Sequence, residues 1–125
     1  MGQDLRYTKE HEWVRVEGDL AVVGITDFAA SQLGDIVFVE LPEVGRSVSQ
    51  FSAAGVIESV KAVSDLFAPV SGDVVETNAE LAASPELVNS DPFGKGWMLR
   101  IRMTDAGQVE RLLDKAAYED LTRVG

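Results

Sequence analysis

Short runs of β-strand pattern, separated by turn residues at close intervals, dominate this sequence. The run "EWVRVE" alternates apolar and polar residues, "GD" at Gly18 and Asp19 suits a two-residue hairpin turn, and "LAVVGI" is β-branched and apolar. Strands this short bury little apolar surface alone. They therefore predict a mainly β fold of two small antiparallel sheets packed face to face, with helices on the outside.

Helix signals occur in two places. The segment "TDFAASQLG" has two candidate caps, Thr26 and Asp27, apolar residues at helical spacing and Gly34 at its end, which predicts one short helix. Near the C-terminus an amphipathic pattern predicts a helical tail that starts with a capping box from Asp105 and Gln108 and is broken near Asp114.

Two further runs predict strands with different surroundings. In "DIVFVEL" the apolar residues are too continuous for a half-exposed strand, so it is expected to lie buried between layers until Pro42 and Gly45 turn the chain. In "WMLRIRM" apolar and basic residues alternate, which predicts a strand with one face on the core.

The length of 125 residues predicts one domain over residues 1–125, with a core at about 7–103 and a helical tail at 105–123. Hydrophobic residues make up 46% and charged residues 26%, which is typical of a globular protein. No apolar run approaches the roughly 18 residues that cross a bilayer. The start "MGQDLRYTKE" lacks the apolar core of a secretory signal, so a soluble, cytoplasmic protein without a membrane partner is expected.

The charge and the residue types exclude several functions. The formal net charge of −10 would repel a phosphate backbone, which argues against a nucleic-acid partner. With no cysteine and one histidine, the chain has no disulfide, no thiol nucleophile and no ordinary zinc site of its own. Any redox chemistry must therefore come from an attached group.

One of only four lysines stands within the valine-rich stretch "GVIESVKAVSDLFAPVSG". Burying an unpaired ammonium is costly, so Lys61 is expected where the chain reverses, with Lys61 and Ala62 at the centre of a turn between two strands. A lysine in a surface turn is usually only solvated. On a hairpin tip, however, it is also accessible to the active site of another enzyme.

Four segments in order carry a resemblance to a known family. The segment "ESVKAVSDLFAPVSGDVVETN" resembles the lipoyl-lysine segment of the glycine cleavage system H protein family. The segments "YTKEHEWV", "GITDFAASQLGDIVFVELPEVG" and "LVNSDPFGKGW" resemble the same family at matching spacing, over residues 7 to about 118. The resemblance implies a barrel-sandwich hybrid of the lipoyl and biotinyl type, and a carrier rather than a catalyst.

The resemblance also implies the cofactor and the partners. Lys61 would carry lipoic acid in amide linkage. A pyridoxal-phosphate glycine decarboxylase would load an aminomethyl group, an aminomethyltransferase would pass its carbon to tetrahydrofolate, and a dihydrolipoamide dehydrogenase would reoxidise the dithiol. A lipoate-attaching enzyme is the fourth partner, and the carrier is expected to be a monomer.

Further site residues follow from the same resemblance. Glu12, Gln32 and Asp65 would line a cleft that shields the loaded arm, although many relatives have histidine where Gln32 stands. The alternative interpretation, without a role in the cleft, is that Glu12 is an exposed strand end and Asp65 a turn carboxylate. Glu58 and Gly72 match positions that help the modifying enzyme recognise the hairpin, although Gly72 is equally explained as a turn glycine. The single histidine, His11, is expected to be structural or merely exposed, with no catalytic role.

Other functions remain open from the sequence. Biotin carriers typically have methionine on both sides of their lysine, where this chain has Val60 and Ala62. A lipoyl domain of a 2-oxo acid dehydrogenase complex, or a donor that relays lipoyl groups to such complexes, is the nearest alternative. From other classes, Lys61 could be a Schiff-base nucleophile, or the chain could be a structural interaction module.

Overall fold

Two antiparallel sheets make up most of the computed structural model, which describes residues 5–122. The described chain forms nine strands and five helices, in the order β1 (Leu5–Tyr7), β2 (Glu12–Glu17), β3 (Leu20–Ile25), α1 (Asp27–Leu33), β4 (Ile36–Glu40), β5 (Ser47–Val48), β6 (Ala53–Ser59), β7 (Val63–Phe67), β8 (Gly72–Thr77), α2 (Glu80–Ala83), α3 (Leu87–Ser90), β9 (Leu99–Met103), α4 (Gly107–Glu110) and α5 (Lys115–Thr122).

The sheets have six and three strands. The order in the six-stranded sheet is β1-β2-β3-β9-β8-β5, and in the three-stranded sheet it is β4-β6-β7, with β6 in the centre. Apolar side chains of both sheets form one buried core, for example Val23 and Ile101 from the larger sheet and Ile57 and Leu66 from the smaller. The predicted fold class, two small antiparallel sheets with peripheral helices, is confirmed.

The N-terminal hairpin follows its sequence pattern. Strands β2 and β3 pair from Glu12↔Ile25 to Glu17↔Leu20, and Gly18 turns the chain with φ at +66°. At the start of α1 the Thr26 hydroxyl accepts a hydrogen bond from the Ala29 N–H at 3.2 Å. The predicted hairpin and the predicted helix cap are both confirmed.

Strand β4 corrects one prediction, because it is not buried between layers. The register with β6 shifts between Ile36 and Phe38, so two consecutive side chains, Val37 and Phe38, face outward and are each 51% exposed. A β-bulge places two residues opposite one and re-aims the side chains around it. The continuous apolar run therefore supplies an exposed surface as well as core.

The C-terminal segment also differs from its prediction in detail. Residue 123, the predicted end of the tail, lies outside the described residues. The helical tail is interrupted between α4 and α5, where the backbone of Leu113 pairs with that of Tyr7. The N-cap residue of α4, Ala106, provides no capping side chain, although Asp105 Oδ1 accepts the Gly107 N–H at 3.1 Å; the side-chain oxygen Oε1 of Gln108 accepts the Ser71 N–H at 2.6 Å. The capping box from Asp105 and Gln108 is thus wrong, because a tertiary hydrogen bond uses the Gln108 side chain.

No helix among residues 5–122 has the length and apolar character that a membrane-crossing helix needs.

A test of the sheet packing concerns Gly24, which lies opposite the buried Trp13 in the β2–β3 register. A Cβ at this position would lie 2.7 Å from the indole ring, whose Nε1–H donates to the Pro92 carbonyl at 2.9 Å. We expect Gly24→Ala to displace the ring and lower the free energy of unfolding by about 1–3 kcal/mol, measured by urea denaturation.

The matched control is Gly18→Asn, in the open hairpin turn where nothing lies within 4 Å of an added Cβ. Asparagine tolerates positive φ, so this variant is expected to stay within about 0.5 kcal/mol of the parent. Equal stability of Gly24→Ala and the parent would contradict the packing argument.

Candidate functional site

Lys61 lies at the tip of the β6–β7 hairpin. Val60, Lys61 and Ala62 separate the two strands, and the Ser59 N–H donates to the Ala62 carbonyl at 2.8 Å. The central pair of the turn is therefore Val60 and Lys61, one residue earlier than the predicted pair. The predicted chain reversal at Lys61 is present.

Ser59 shapes this turn from the inside. Its hydroxyl oxygen accepts hydrogen bonds from the Lys61 N–H at 3.2 Å and the Ala62 N–H at 3.0 Å. Such a bond from a serine to the backbone two or three residues on is a common turn device. The sequence interpretation missed Ser59, although a serine directly before a chain reversal is a recognisable signal.

The Lys61 side chain is exposed and its ammonium is free among the residues that the structure describes. Its apolar neighbours Val60 and Val63 are 68% and 67% exposed. The methylene stem lies over Gly34, where an added Cβ would be 3.4 Å from Lys61 Cε. An added Cβ at residue 34 would thus only touch the stem, and the positive φ of +84° is the stronger reason for glycine at this position.

Apolar and acidic side chains cover the outer face of the three-stranded sheet beside the tip. Phe38, Glu58 and Val63 are register neighbours in one row across β4, β6 and β7. Glu40 and Asp65, both exposed, flank Val56 in the next row. Glu58 is thus near the tip in the fold, whereas its predicted role in recognition by the modifying enzyme stays a prediction.

One of the predicted cleft residues, Gln32, lies near the tip. Gln32 is exposed in the last turn of α1, two residues before the Gly34 on which the Lys61 stem lies. Asp65 is exposed in the middle of strand β7, so its plainer description as a turn carboxylate is wrong. Successive side chains of a strand alternate, so Asp65 shares its face of β7 with Phe67.

Glu12 is the most unusual of the predicted site residues, because it is buried and only 1% exposed, not an exposed strand end. Thr8 Oγ1–H donates to Glu12 Oε1 at 2.5 Å, and the Phe67 N–H donates to Glu12 Oε2 at 3.1 Å. Burial raises the pKa of this carboxyl from 4.5 to about 7, against the opposing effect of the two hydrogen bonds. Glu12 is therefore poised to titrate near neutral pH.

A pocket of about 390 Å³ opens beside the Glu12 carboxylate. Thr8 and Phe67, which hold that carboxylate, are part of its wall. The remaining lining residues are four with apolar or aromatic side chains, Tyr7, Phe51, Leu112 and Leu113, and three with charged side chains, Lys9, Glu10 and Arg111.

Gly72 lies apart from the tip, in β8 between Val48 and Met103. An added Cβ would lie 2.1 Å from the carbonyl oxygen of Arg102, so close backbone packing requires glycine there. This placement explains the residue without a role in recognition, which stays a prediction.

His11 takes part in a hydrogen-bonded contact with the C-terminal helix. Its Nδ1 lies 2.9 Å from the Tyr118 hydroxyl, which lies 2.7 Å from Thr26 Oγ1. Burial lowers the pKa of His11, which favours the neutral ring. The geometry is that of a structural tie between α5 and the start of α1.

Glu12 leads to a test of stability against pH. Because the folded-state pKa is above the unfolded value, the folded protein binds more protons between pH 4.5 and 7, and stability from this group falls as pH rises. We expect the free energy of unfolding of the parent, relative to Glu12→Gln, to fall by about 2–3 kcal/mol from pH 5 to pH 8. Urea denaturation across this range measures it.

Glu17→Gln is the matched control, since it removes an exposed carboxylate at the other end of β2. This control should keep the pH dependence of the parent. A parallel pH dependence for Glu12→Gln and the parent would refute the assignment to Glu12.

Comparisons with known proteins agree over the whole described chain. The family model described as "Glycine cleavage H-protein" matches residues 5–124. A glycine cleavage system H protein from Symbiobacterium thermophilum is 57% identical over 122 residues, covering 98% of this chain and 95% of the relative. One from Magnetococcus marinus is 59% identical over 116 residues, covering 93% and 83%.

A solved structure gives the same answer for the fold. The crystal structure of a glycine cleavage system H protein from Mycobacterium marinum superposes with a TM-score of 0.89 at 40% identity, covering 99% of this chain and 100% of that one. The chain therefore belongs to the glycine cleavage H-protein family.

Proposed function

We propose that Lys61 carries lipoic acid in amide linkage and that the chain is the lipoyl-bearing shuttle of the glycine cleavage system. The observation that carries this proposal is the exposed Lys61 ammonium, which has no partner among residues 5–122, on a two-residue tip with its stem over Gly34. In the attachment step, the Lys61 ammonium loses one proton to give the neutral amine, whose Nζ bonds to the carbonyl carbon of an activated lipoyl donor; Nζ then loses a second proton as the activating group leaves, which gives the amide.

Lipoic acid fits this position and the composition of the chain. When attached, it supplies the disulfide that a chain without cysteine lacks. Amide formation removes the charge of Lys61, which then no longer conflicts with the exposed Val60 and Val63. The chain itself acts as a carrier and its residues hold, present and shield.

Shielding of the aminomethyl cargo is assigned to the side of the molecule that runs from α1 along β7. Gln32 lies at the tip end of this side, Asp65 in its middle, and Glu12 at the Phe67 end beside the pocket. The cargo carries an ammonium group, with which the carboxylates can pair, while Phe51 and other apolar residues of the pocket exclude water.

Glu12 has a specific part in this arrangement. A nearby cation favours the ionised carboxylate, so arrival of the ammonium lowers the pKa of Glu12 from about 7 and makes the pair stronger. Because the Glu12 side chain is enclosed, contact requires Thr8 Oγ1 or the Phe67 N–H to share it with the cargo.

The partners are those of the same system: glycine decarboxylase, aminomethyltransferase, dihydrolipoamide dehydrogenase and the lipoate-attaching enzyme. Glu58 and the exposed Phe38 and Val63 form the surface that these enzymes meet around Lys61. Electrostatic complementarity with an acidic carrier favours basic residues around their active sites. The chain is expected to work as a monomer, and its cytoplasmic location stays a prediction from the sequence.

Attachment at Lys61 is tested by intact mass and peptide mapping after expression with a lipoate source. We expect a lipoyl increment on Lys61 in the parent and glycine-dependent carbon dioxide exchange with the decarboxylase. Lys61→Arg keeps the charge but cannot form this amide, so it should show neither. Lys95→Arg, at another exposed lysine, should behave as the parent. A biotin increment, or an active Lys61→Arg protein, would overturn the proposal.

The cleft is tested with the double variant Glu12→Gln and Asp65→Asn, which keeps the shapes and removes the carboxylates. We expect lipoylation at the parent's rate but faster loss of the cargo, by about tenfold, measured as formaldehyde released from the loaded carrier in buffer. The double variant Glu17→Gln and Asp19→Asn removes two exposed carboxylates at the far end of β2 and should retain cargo normally. Equal lifetimes in all three proteins would refute the cleft.

A further inference from the structure

The Asn89 side chain holds a segment that is distant in sequence. Asn89 Nδ2–H donates to the Gly34 carbonyl at 2.9 Å, and Asn89 Oδ1 accepts the Ile36 N–H at 2.9 Å. A single amide group thus pairs with the backbone on both sides of Asp35, as a neighbouring strand would. The bonds connect α3 with the link between α1 and β4, more than fifty residues away.

The clamped segment, residues 34–36, is where the hairpin tip rests on the body of the protein. The Asp35 carbonyl accepts the Val60 N–H at 3.0 Å, and the Lys61 stem lies over Gly34. The other hydrogen bonds of the turn are internal to it: the Ser59 hydroxyl accepts the Lys61 and Ala62 N–H groups, and the Ser59 N–H donates to the Ala62 carbonyl. Internal bonds fix the shape of the turn, whereas the bond to Asp35 extends the β4–β6 pairing one step beyond Ile36↔Ser59 and holds the tip itself against the body.

Segment 34–36 needs an external support to do this. Gly34 has φ +84° and ψ −159°, a conformation that glycine adopts at little cost but that leaves the backbone free to choose others. Two hydrogen bonds from one half-buried side chain restrict that choice. Asn89 is itself held, because it belongs to α3 and follows the fully buried Val88.

We propose that Asn89 is a positioning residue for Lys61: it fixes segment 34–36, and through the Asp35–Val60 hydrogen bond it fixes the orientation in which the amine meets the lipoate-attaching enzyme. This inference rests on the proposed lipoylation of Lys61. Asn89 does not touch the reacting atoms. It raises the fraction of molecules whose tip is already in the reactive orientation. This fraction sets the apparent efficiency with which the attaching enzyme modifies Lys61.

The experiment compares Asn89→Ala, which removes both hydrogen bonds, with Asn89→Asp, which keeps the acceptor for Ile36 but sets an oxygen against the Gly34 carbonyl. Two quantities are measured at a temperature where every variant is folded. The first is the hydrogen exchange rate of the Val60 amide, relative to that of Ser59, whose bond lies inside the turn. The second is kcat/KM for lipoylation.

Asn78→Ala is the matched control. Asn78 is buried and also uses its side-chain amide on backbone groups, donating to the Lys95 and Trp97 carbonyls at 2.8 Å and accepting the Glu80 N–H at 3.1 Å. It touches none of residues 34–36 through these bonds. Asn78→Ala should lower the melting temperature as much as Asn89→Ala does. A difference between the two variants in Val60 exchange or in lipoylation is then due to positioning of the tip and not to general destabilisation.

We expect both Asn89 variants to exchange the Val60 amide about five- to tenfold faster with Ser59 unchanged, and to be lipoylated with a kcat/KM lower by a similar factor. Asn78→Ala should match the parent in both quantities. Parental lipoylation of Asn89→Ala, an unchanged Val60 exchange rate, or an equal loss in Asn78→Ala would each overturn the inference. An unmodified parent would instead overturn the proposed function, and the exchange rates of the unmodified variants would still decide whether Asn89 holds the tip.

Discussion

The two sheets bury each other's apolar faces, and a few polar contacts that cross between the sheets decide how they meet. The most direct contact joins Glu12, at the start of β2 in the six-stranded sheet, to the backbone of Phe67, at the end of β7 in the three-stranded sheet. A carboxyl buried at this junction has to be hydrogen-bonded, and it is, on both oxygens. The same junction borders the pocket, so this hydrogen-bonded contact between the sheets also places an ionisable group beside the proposed cargo site.

At the other end of the three-stranded sheet the problem is reversed, because a charged amine has to be kept out of an apolar neighbourhood. The fold solves it with a turn too short to bend back onto the core, internally fixed by Ser59 and seated on Asp35. The bulge in β4 turns Phe38 outward beside it. The tip is therefore rigid in shape, apolar in its surroundings and accessible at the amine.

Much of the fold could be predicted from the sequence because local patterns decide it. The β2–β3 hairpin depends on alternation and on a turn glycine, and the start of α1 depends on the Thr26 hydroxyl, all of which are visible in a few adjacent residues. The predicted burial of β4 failed because its bulge arises from the register with β6. The short helices α2 and α3 were not predicted either, since four residues carry too little periodicity and packing decides their conformation.

The site, like the fold, has features that could be predicted from local sequence and features that could not. Lys61 could be found because a lysine among valines conflicts with its surroundings, and the conflict marks a chain reversal. The turn could not be placed to the residue, since Val60-Lys61 and Lys61-Ala62 are both acceptable central pairs and the Ser59 bonds choose between them. The burial of Glu12 depends on Phe67, and the role inferred for Asn89 depends on Gly34; each pair is 55 positions apart. Such contacts leave no trace in local sequence patterns.

The proposed attachment of a lipoyl group to Lys61 would change what the tip offers to a partner. The bare tip presents a cation beside Glu58 and Asp65, and the formal net charge of the chain is −10. Amide formation removes that one positive charge, which takes the net charge from −10 to −11 and leaves the carboxylates around the tip without a nearby cation. Under this proposal the attaching enzyme meets one cation beside Glu58 and Asp65, whereas the later enzymes meet the same carboxylates around a neutral arm. Long-range attraction by basic residues should favour the modified carrier over the bare one, so the charge change itself sorts the two forms among the partners.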